Sequence, residues 1–258
     1  MVNTFFVHEN VYISAKCLDY LRLNKQTSEA ITIYRNIFNL KLLGNYYKVG
    51  IPYNNYDLYT WIREVVALYK KENSLFLFKE NGELIKHPKG TKIIQQSYNQ
   101  KIMSINNGII ELIDNNGKIM KVPENLFAGL NDHLVKLGYI YHPVILMWFN
   151  YIPALKHYIN VHVAECKSRG YKNRITICSK EYEEDKQRNI TVTPVELYPA
   201  WTRDNDFLIR HRSNLIRKMP KYYTSIFPNV SDDMQYFWPF TPKVGTKNGI
   251  DDKNKRYN

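Results

Sequence analysis

Pro199-Ala200-Trp201-Thr202-Arg203-Asp204-Asn205-Asp206-Phe207-Leu208-Ile209-Arg210-His211-Arg212-Ser213-Asn214-Leu215-Ile216-Arg217-Lys218-Met219-Pro220-Lys221-Tyr222-Tyr223 sets six basic residues against two acidic ones, a local charge of +4. Phe207, Leu208, Leu215, Ile216 and Met219 recur at helical spacing, which predicts an amphipathic helix from about Asp204 to Met219. Aromatic residues follow at Tyr222, Tyr223, Phe227, Tyr236, Phe237 and Trp238. Cations on a helix beside stackable rings suit a nucleic-acid surface. The same pattern also fits a basic helix lying over an aromatic core.

The rest of the chain narrows the choice. At 258 residues it has length for one large domain or two small ones. Hydrophobic content of 44% and charged content of 23% are those of a globular protein. A net charge of +12 points to a polyanionic partner, nucleic acid ahead of membrane surface. Abundant Lys, Asn, Ile and Tyr offer compositional drift in an AT-rich genome as the other source of that charge. Cys17, Cys166 and Cys178 are odd in number and widely spaced, against a disulfide framework or zinc module and for a reducing compartment. Neither a signal peptide nor an apolar run of membrane-spanning length is present in the sequence. The expectation is a soluble intracellular protein, in host cytoplasm or nucleus or packaged in a virion.

Read in order, Val2–Val7 is an extended entry. A helix from about Tyr12 carries an apolar stripe of Ile13, Cys17, Leu18 and Leu21. Asn24 is placed to close it in a left-handed turn, with a second helix running from Lys25 to Leu40. Leu58–Lys71 reads as helix. Five short β-runs follow (74–79, 83–86, 101–105, 109–114 and 118–122), punctuated by Asn81-Gly82, Asn107-Gly108 and Asn116-Gly117, the strongest short-range hairpin signals. Helix returns over Val144–Ser168, divided by Pro153 and closed at Gly170. Residues 175–196 read as a loop and 243–258 as a frayed polar tail. The fold class is mainly α with an inserted β-rich segment, α+β overall. The helical core takes residues 1–44 and 131–242, and the insertion takes 45–130.

The sequence holds no glycine-rich nucleotide loop, nucleophile elbow or metal-ligand pair at short spacing, so neither cofactor nor metal is expected. His157 and His162 stand five apart without a carboxylate at useful spacing, and Glu183-Glu184-Asp185 reads as a solvated acidic run. Three polar sets remain. Asp19, Arg22, Lys25, Gln26 and Glu29 form either a solvated helix face or a binding face. His142 and Trp148 read as a capping histidine and a core indole, or as site residues. His211, Arg212, Ser213, Asn214, Arg217 and Lys218 place cations and short hydrogen-bonding side chains together, which suits phosphate contact.

These residues carry a resemblance. Leu18-Asp19-x-x-Arg22-Leu23-x-Lys25-Gln26-x-x-Glu29-Ala30, His142-Pro143-x-x-x-Met147-Trp148, Arg169-Gly170-Tyr171, Pro199-Ala200-Trp201 and His211-Arg212-Ser213-Asn214-Leu215-x-x-Lys218-x-Pro220-x-x-Tyr223 occur in that order. The chain resembles the pyrimidine-dimer DNA glycosylases of the phage endonuclease V type, in their broader phage and bacterial branch. The resemblance covers about residues 1–40 and 139–240 and leaves the β-rich insertion without a counterpart.

It implies a compact helical DNA-repair enzyme that excises ultraviolet-damaged pyrimidines from duplex DNA, with glycosylase and AP-lyase activity. The attacking group would be the chain's N-terminal amine, on Val2 once Met1 is removed, acting through a Schiff base. A carboxylate would stabilise the cationic sugar. The best-known members carry it directly after the arginine matching Arg22, where this chain has Leu23, so Glu29 is taken as its substitute. The implied catalytic set is Val2, Glu29 and Arg22. The implied DNA-binding set is Arg22, Lys25, Gln26, His142, His211, Arg212, Asn214, Arg217, Lys218, Tyr222, Tyr223 and Trp238. The alternatives are a DNA-binding or virion-associated protein that keeps the fold without the chemistry, and an assembly protein forming homo-oligomers through the insertion.

Overall fold

The computed structural model describes residues 6–52, 55–173, 175 and 196–235. Expectations for Val2, for the loop between 176 and 195, for Trp238 and for the tail lie outside the described residues. The chain divides into two units, with two of the four divisions falling inside helices. The first draws its described residues from Met1–Lys41, Gly50–Ile62 and Gly138–Asn258, the second from Leu42–Val49 and Arg63–Leu137. Helix and strand are both present, as the mixed composition of turn signals and helical periodicities predicted.

The first unit begins with α1 (Val11–Lys16), capped by the Asn10 carboxamide, which accepts from the Tyr12 and Ile13 amides. The chain then breaks at Cys17–Asp19 and restarts as α2 (Tyr20–Tyr46). The expected division at Asn24 is corrected. Asp19 starts the helix instead, its carboxylate accepting from the amides of Leu21 (2.9 Å) and Arg22 (3.2 Å). Asn24 sits inside α2, its carboxamide oxygen accepting from the Cys166 thiol at 3.6 Å. The stripe read from Ile13 to Leu21 is interrupted for the same reason. Leu18 is buried while Ile13 and Leu21 are exposed, because the break resets the helical phase.

The helix expected over 144–168 appears as α4 (Pro143–Trp148) and α5 (Ile152–Ser168), with Pro153 in the first turn of the second piece, where its missing N–H costs nothing. Gly170 takes a φ of +78° after α5, the left-handed turn expected of it. The basic stretch forms α6 (Asn205–Lys218), capped by Asp204, followed by α7 (Pro220–Ile226). Helix α3 (Asn55–Glu72) completes the α-helices of the described residues.

An aromatic cluster forms the core of this unit. Trp148 and Trp201 meet edge to face at 5.1 Å, Phe6 lies 5.3 Å from Tyr158, and Trp201 lies 5.4 Å from Phe207. The indole N–H of Trp201 donates to the Met147 carbonyl at 3.4 Å. Beside it His157 is buried between two phenols, with Nδ1 2.8 Å from the Tyr198 hydroxyl and Nε2 3.3 Å from that of Tyr12. Arg169 sends its guanidinium to the carbonyls of Leu18 (2.6 Å), Lys16 (2.9 Å) and Ala15 (3.4 Å), satisfying acceptors that the end of α1 leaves open. Tyr223 is fully buried, and its hydroxyl donates to the Asp19 carboxylate while accepting from the Asp19 amide.

His162, also fully buried, gives the unit a measurable pH dependence. Burial pushes its pKa down to about 4 from 6.5, against the raising effect of its hydrogen bond to the Tyr158 carbonyl. The unfolded chain therefore takes up this proton more readily than the folded one. Stability is complete above pH 6.5 and falls as the pH drops toward 4, by about 3 kcal/mol in all. The urea midpoint should decline over that window, and less steeply in His162→Gln.

The second unit holds the strands. In β1 (Ser74–Phe78), β2 (Leu84–Pro88) and β8 (His133–Leu134) the order is β2-β1-β8, all antiparallel. The meander β4 (Gln100–Asn106), β5 (Ile109–Asp114) and β6 (Ile119–Pro123) follows the Asn-Gly signals. Asn107 and Gly108 both take positive φ, +50° and +72°, the geometry a two-residue hairpin needs. A short parallel ladder of β3 (Ile94–Gln95) and β7 (Phe127–Ala128) carries no sequence signal and was not expected. Ile110, Leu112 and Val122 of the meander and Phe127 of the β3–β7 ladder form one buried cluster.

Candidate active site and nucleic-acid interface

Two helix faces in the first unit bring the polar sets together. On α2 the spacing of Arg22, Lys25, Gln26 and Glu29 puts all four on one side. On α6, His211, Asn214, Leu215 and Lys218 do the same. With Val7 and Leu21 they line one cleft of about 290 Å³, near the lower end of the ~300–1,000 Å³ typical of ligand clefts. Residues separated by nearly two hundred positions in the chain thus share a wall.

The cleft is cationic around one carboxylate. Arg22 Nε stands 3.7 Å from Asp19 Oδ2, and Lys25 Nζ stands 3.9 Å from Glu29 Oε1. The pKa of the Lys218 ammonium is lowered first by burial, then by the like charges of Lys25 and Arg22, with Glu29 acting in the opposite sense. Crowding three cations costs energy that an entering anion would relieve. His211 is pushed well below its ordinary value by burial and by Lys218, so it presents a neutral imidazole, packed 4.2 Å from the Phe207 ring. Gln26 is only 6% exposed, and its carboxamide oxygen accepts from the buried Tyr158 hydroxyl at 2.5 Å.

Leu23 lies elsewhere. It is fully buried and is not among the residues that line the cleft. A carboxylate there would enter the core, whereas Glu29 is in the cleft.

Among the described residues, the other expected site residues do not line this cleft. His142 caps α4, its Nδ1 accepting from the Val144 amide at 3.3 Å, and burial lowers its pKa. Arg212 donates to the Val7 carbonyl at 2.6 Å and lies over the Phe227 ring. Arg217 donates to the carbonyls of Asp232 (2.6 Å) and Met234 (2.9 Å), holding the segment after α7. Tyr223 is in the core, and Tyr222 packs edge-on against it at 4.8 Å. Trp148 is a buried core indole. Sequence reasoning missed Val7 as a lining residue of the cleft and Tyr158 as the partner that holds Gln26. Neither carries a local signal, since each takes its part through a partner distant in the chain. Leu21 was read as a core residue because the break before α2 could not be seen.

A groove lined by three cations and one carboxylate has the charge that suits a polyanionic ligand. The chain matches the family model described as pyrimidine dimer DNA glycosylase over residues 2–177, and it belongs to that family of DNA-repair glycosylases. The α2 wall of the cleft lies within the matched range and the α6 wall beyond it. No curated protein and no solved structure gives a significant match. Among the described residues no helix is long and apolar enough to cross a membrane.

Proposed function

We propose that this protein excises ultraviolet-damaged pyrimidines from duplex DNA and then cleaves the strand, with its N-terminal amine as nucleophile and Glu29 as the essential carboxylate. The observation that carries the reading is the placement of Glu29 among Arg22, Lys25 and Lys218 in one cleft while Leu23 points into the core.

The amine exposed on Val2 by removal of Met1 attacks C1′ of the damaged nucleotide, and the glycosidic electron pair leaves with the base. An α-amine with an ordinary pKa near ~8 is partly unprotonated at neutral pH, so it is competent for this attack. Glu29 stabilises positive charge on the sugar and carries the proton taken from the amine. The C1′–O4′ bond of the resulting adduct then breaks, O4′ taking the proton carried by Glu29. The open-chain imine makes the C2′ proton acidic, and its loss expels the 3′ phosphate by β-elimination. Arg22, Lys25 and Lys218 hold the backbone phosphates. The second unit is an insertion into this helical core.

Borohydride added during reaction with an irradiated duplex should trap a covalent protein–DNA adduct, and peptide mapping should place the link on the amine of Val2. Protein acetylated at that amine should give no adduct. A strand nicked at full rate by the acetylated protein would reject the amine mechanism.

A further inference from the structure

Leu21 lines the cleft and yet is 62% exposed, at its rim. A lone exposed leucine is ordinary, but the position of this one is not. It stands immediately before Arg22 in the first turn of α2, and its amide is held by the Asp19 carboxylate at 2.9 Å. The side chain is therefore presented from a fixed piece of backbone. Its neighbour Tyr20, also exposed, packs against Tyr171 with ring centroids 4.1 Å apart. The charged members of the same cleft are Arg22, Lys25 and Lys218, against the single carboxylate of Glu29.

Charge complementarity decides what covers this apolar tip. A ligand that engages those three cations is a polyanion, and the leucine lines the same cleft as they do. In duplex DNA the surface lying between backbone phosphates is the stack of base pairs. Apolar side chains entering a stack separate one base step and hold the duplex kinked. The cost of opening a step is least where a base is damaged or poorly paired.

We propose that Leu21 is a wedge that enters the base stack at a weakened step, and that it gives the protein its preference for damaged over intact duplex. This rests on the proposed reading of the cleft as a DNA-repair site. The cations set how tightly any duplex is held, and Leu21 selects the step that opens.

The test uses the full chain, a duplex with one thymine dimer and 2-aminopurine in the opposite strand, and the matching undamaged duplex. Binding of the unaltered protein should raise 2-aminopurine fluorescence on the damaged duplex as the step opens. Leu21→Ala should abolish most of that rise and weaken binding to damaged DNA about 10-fold, with binding to intact DNA changed less than about 2-fold. Leu21→Met, which keeps an apolar tip, should restore both. An unchanged thermal midpoint in Leu21→Ala verifies that folding is intact, as its exposure requires. A variant that keeps the fluorescence rise and the discrimination, or that loses affinity equally on both duplexes, overturns the wedge. A protein that nicks irradiated DNA while indifferent to Leu21 loses the wedge and keeps the repair reading. One that opens the step through Leu21 without cleaving keeps the wedge and loses the chemistry.

Discussion

Glu29→Gln should lower the rate of nicking at thymine dimers about 10³-fold while leaving the Kd for damaged duplex within a few-fold, since a positioned acid–base group contributes typically 10²–10⁴. Single-turnover cleavage and gel-shift titration on the same duplex separate the two effects. The expected asymmetry has a structural basis. Glu29 contributes no favourable charge to a phosphate, so losing its negative charge cannot weaken anion binding electrostatically. Glutamine preserves the side chain's volume and removes only its basicity and charge. Full activity in this variant would show that the carboxylate of the reaction lies elsewhere. The companion variant Leu23→Glu should not rescue it, because position 23 is buried away from the cleft; it should instead destabilise the fold by placing a charge in the core.

Removal of the three cleft cations forms the second large effect. Arg22→Ala, Lys25→Ala and Lys218→Ala combined should weaken binding to any duplex, damaged or not, by about 10²–10³-fold near physiological salt. The slope of log K against log[salt] should shrink by about 1 for each phosphate that the protein no longer neutralises. Singly, Lys218→Ala should cost least at high salt, where screening already weakens its hold on a phosphate. An undiminished slope in the triple variant would place the phosphate-binding surface outside this cleft.

Local patterns in the sequence were readable to the extent that local chemistry decides the structure. The Asn-Gly pairs announced the meander because backbone geometry at two residues sets the hairpin. Pro143, Pro153, Asp204 and Gly170 marked helix ends for reasons confined to one turn. The restart at Asp19 was missed because Asp19 and Asn24 both carry side chains able to end or begin a helix. Contact with Tyr223, more than two hundred residues away, accompanies the choice of Asp19. The two-residue ladder of β3 and β7 is likewise tertiary in origin.

At the site, the α2 and α6 faces were legible as helical spacings. Which basic residues reach the cleft was not. Arg212 and Arg217 look like Lys218 in sequence, yet they are occupied by backbone carbonyls at 2.6 Å. Several of the ordered motifs proved to be framework. Arg169 serves the end of α1, His142 begins α4, and Trp148 and Trp201 fill the core. In this structure these residues hold the scaffold, so their order in the sequence speaks to the fold before it speaks to a reaction.

The clasp between Tyr223 and Asp19 gives a residue near the far end of the described chain a part in placing one wall of the cleft. Asp19 begins the helix that carries Arg22 and Glu29, and the Tyr223 hydroxyl engages both its amide and its carboxylate. Shortening the protein before α7 would remove no lining residue of the cleft. It would, however, leave the first turn of α2 without its anchor, so the tilt of one wall, and with it the position of Glu29, depends on a tyrosine buried outside the cleft.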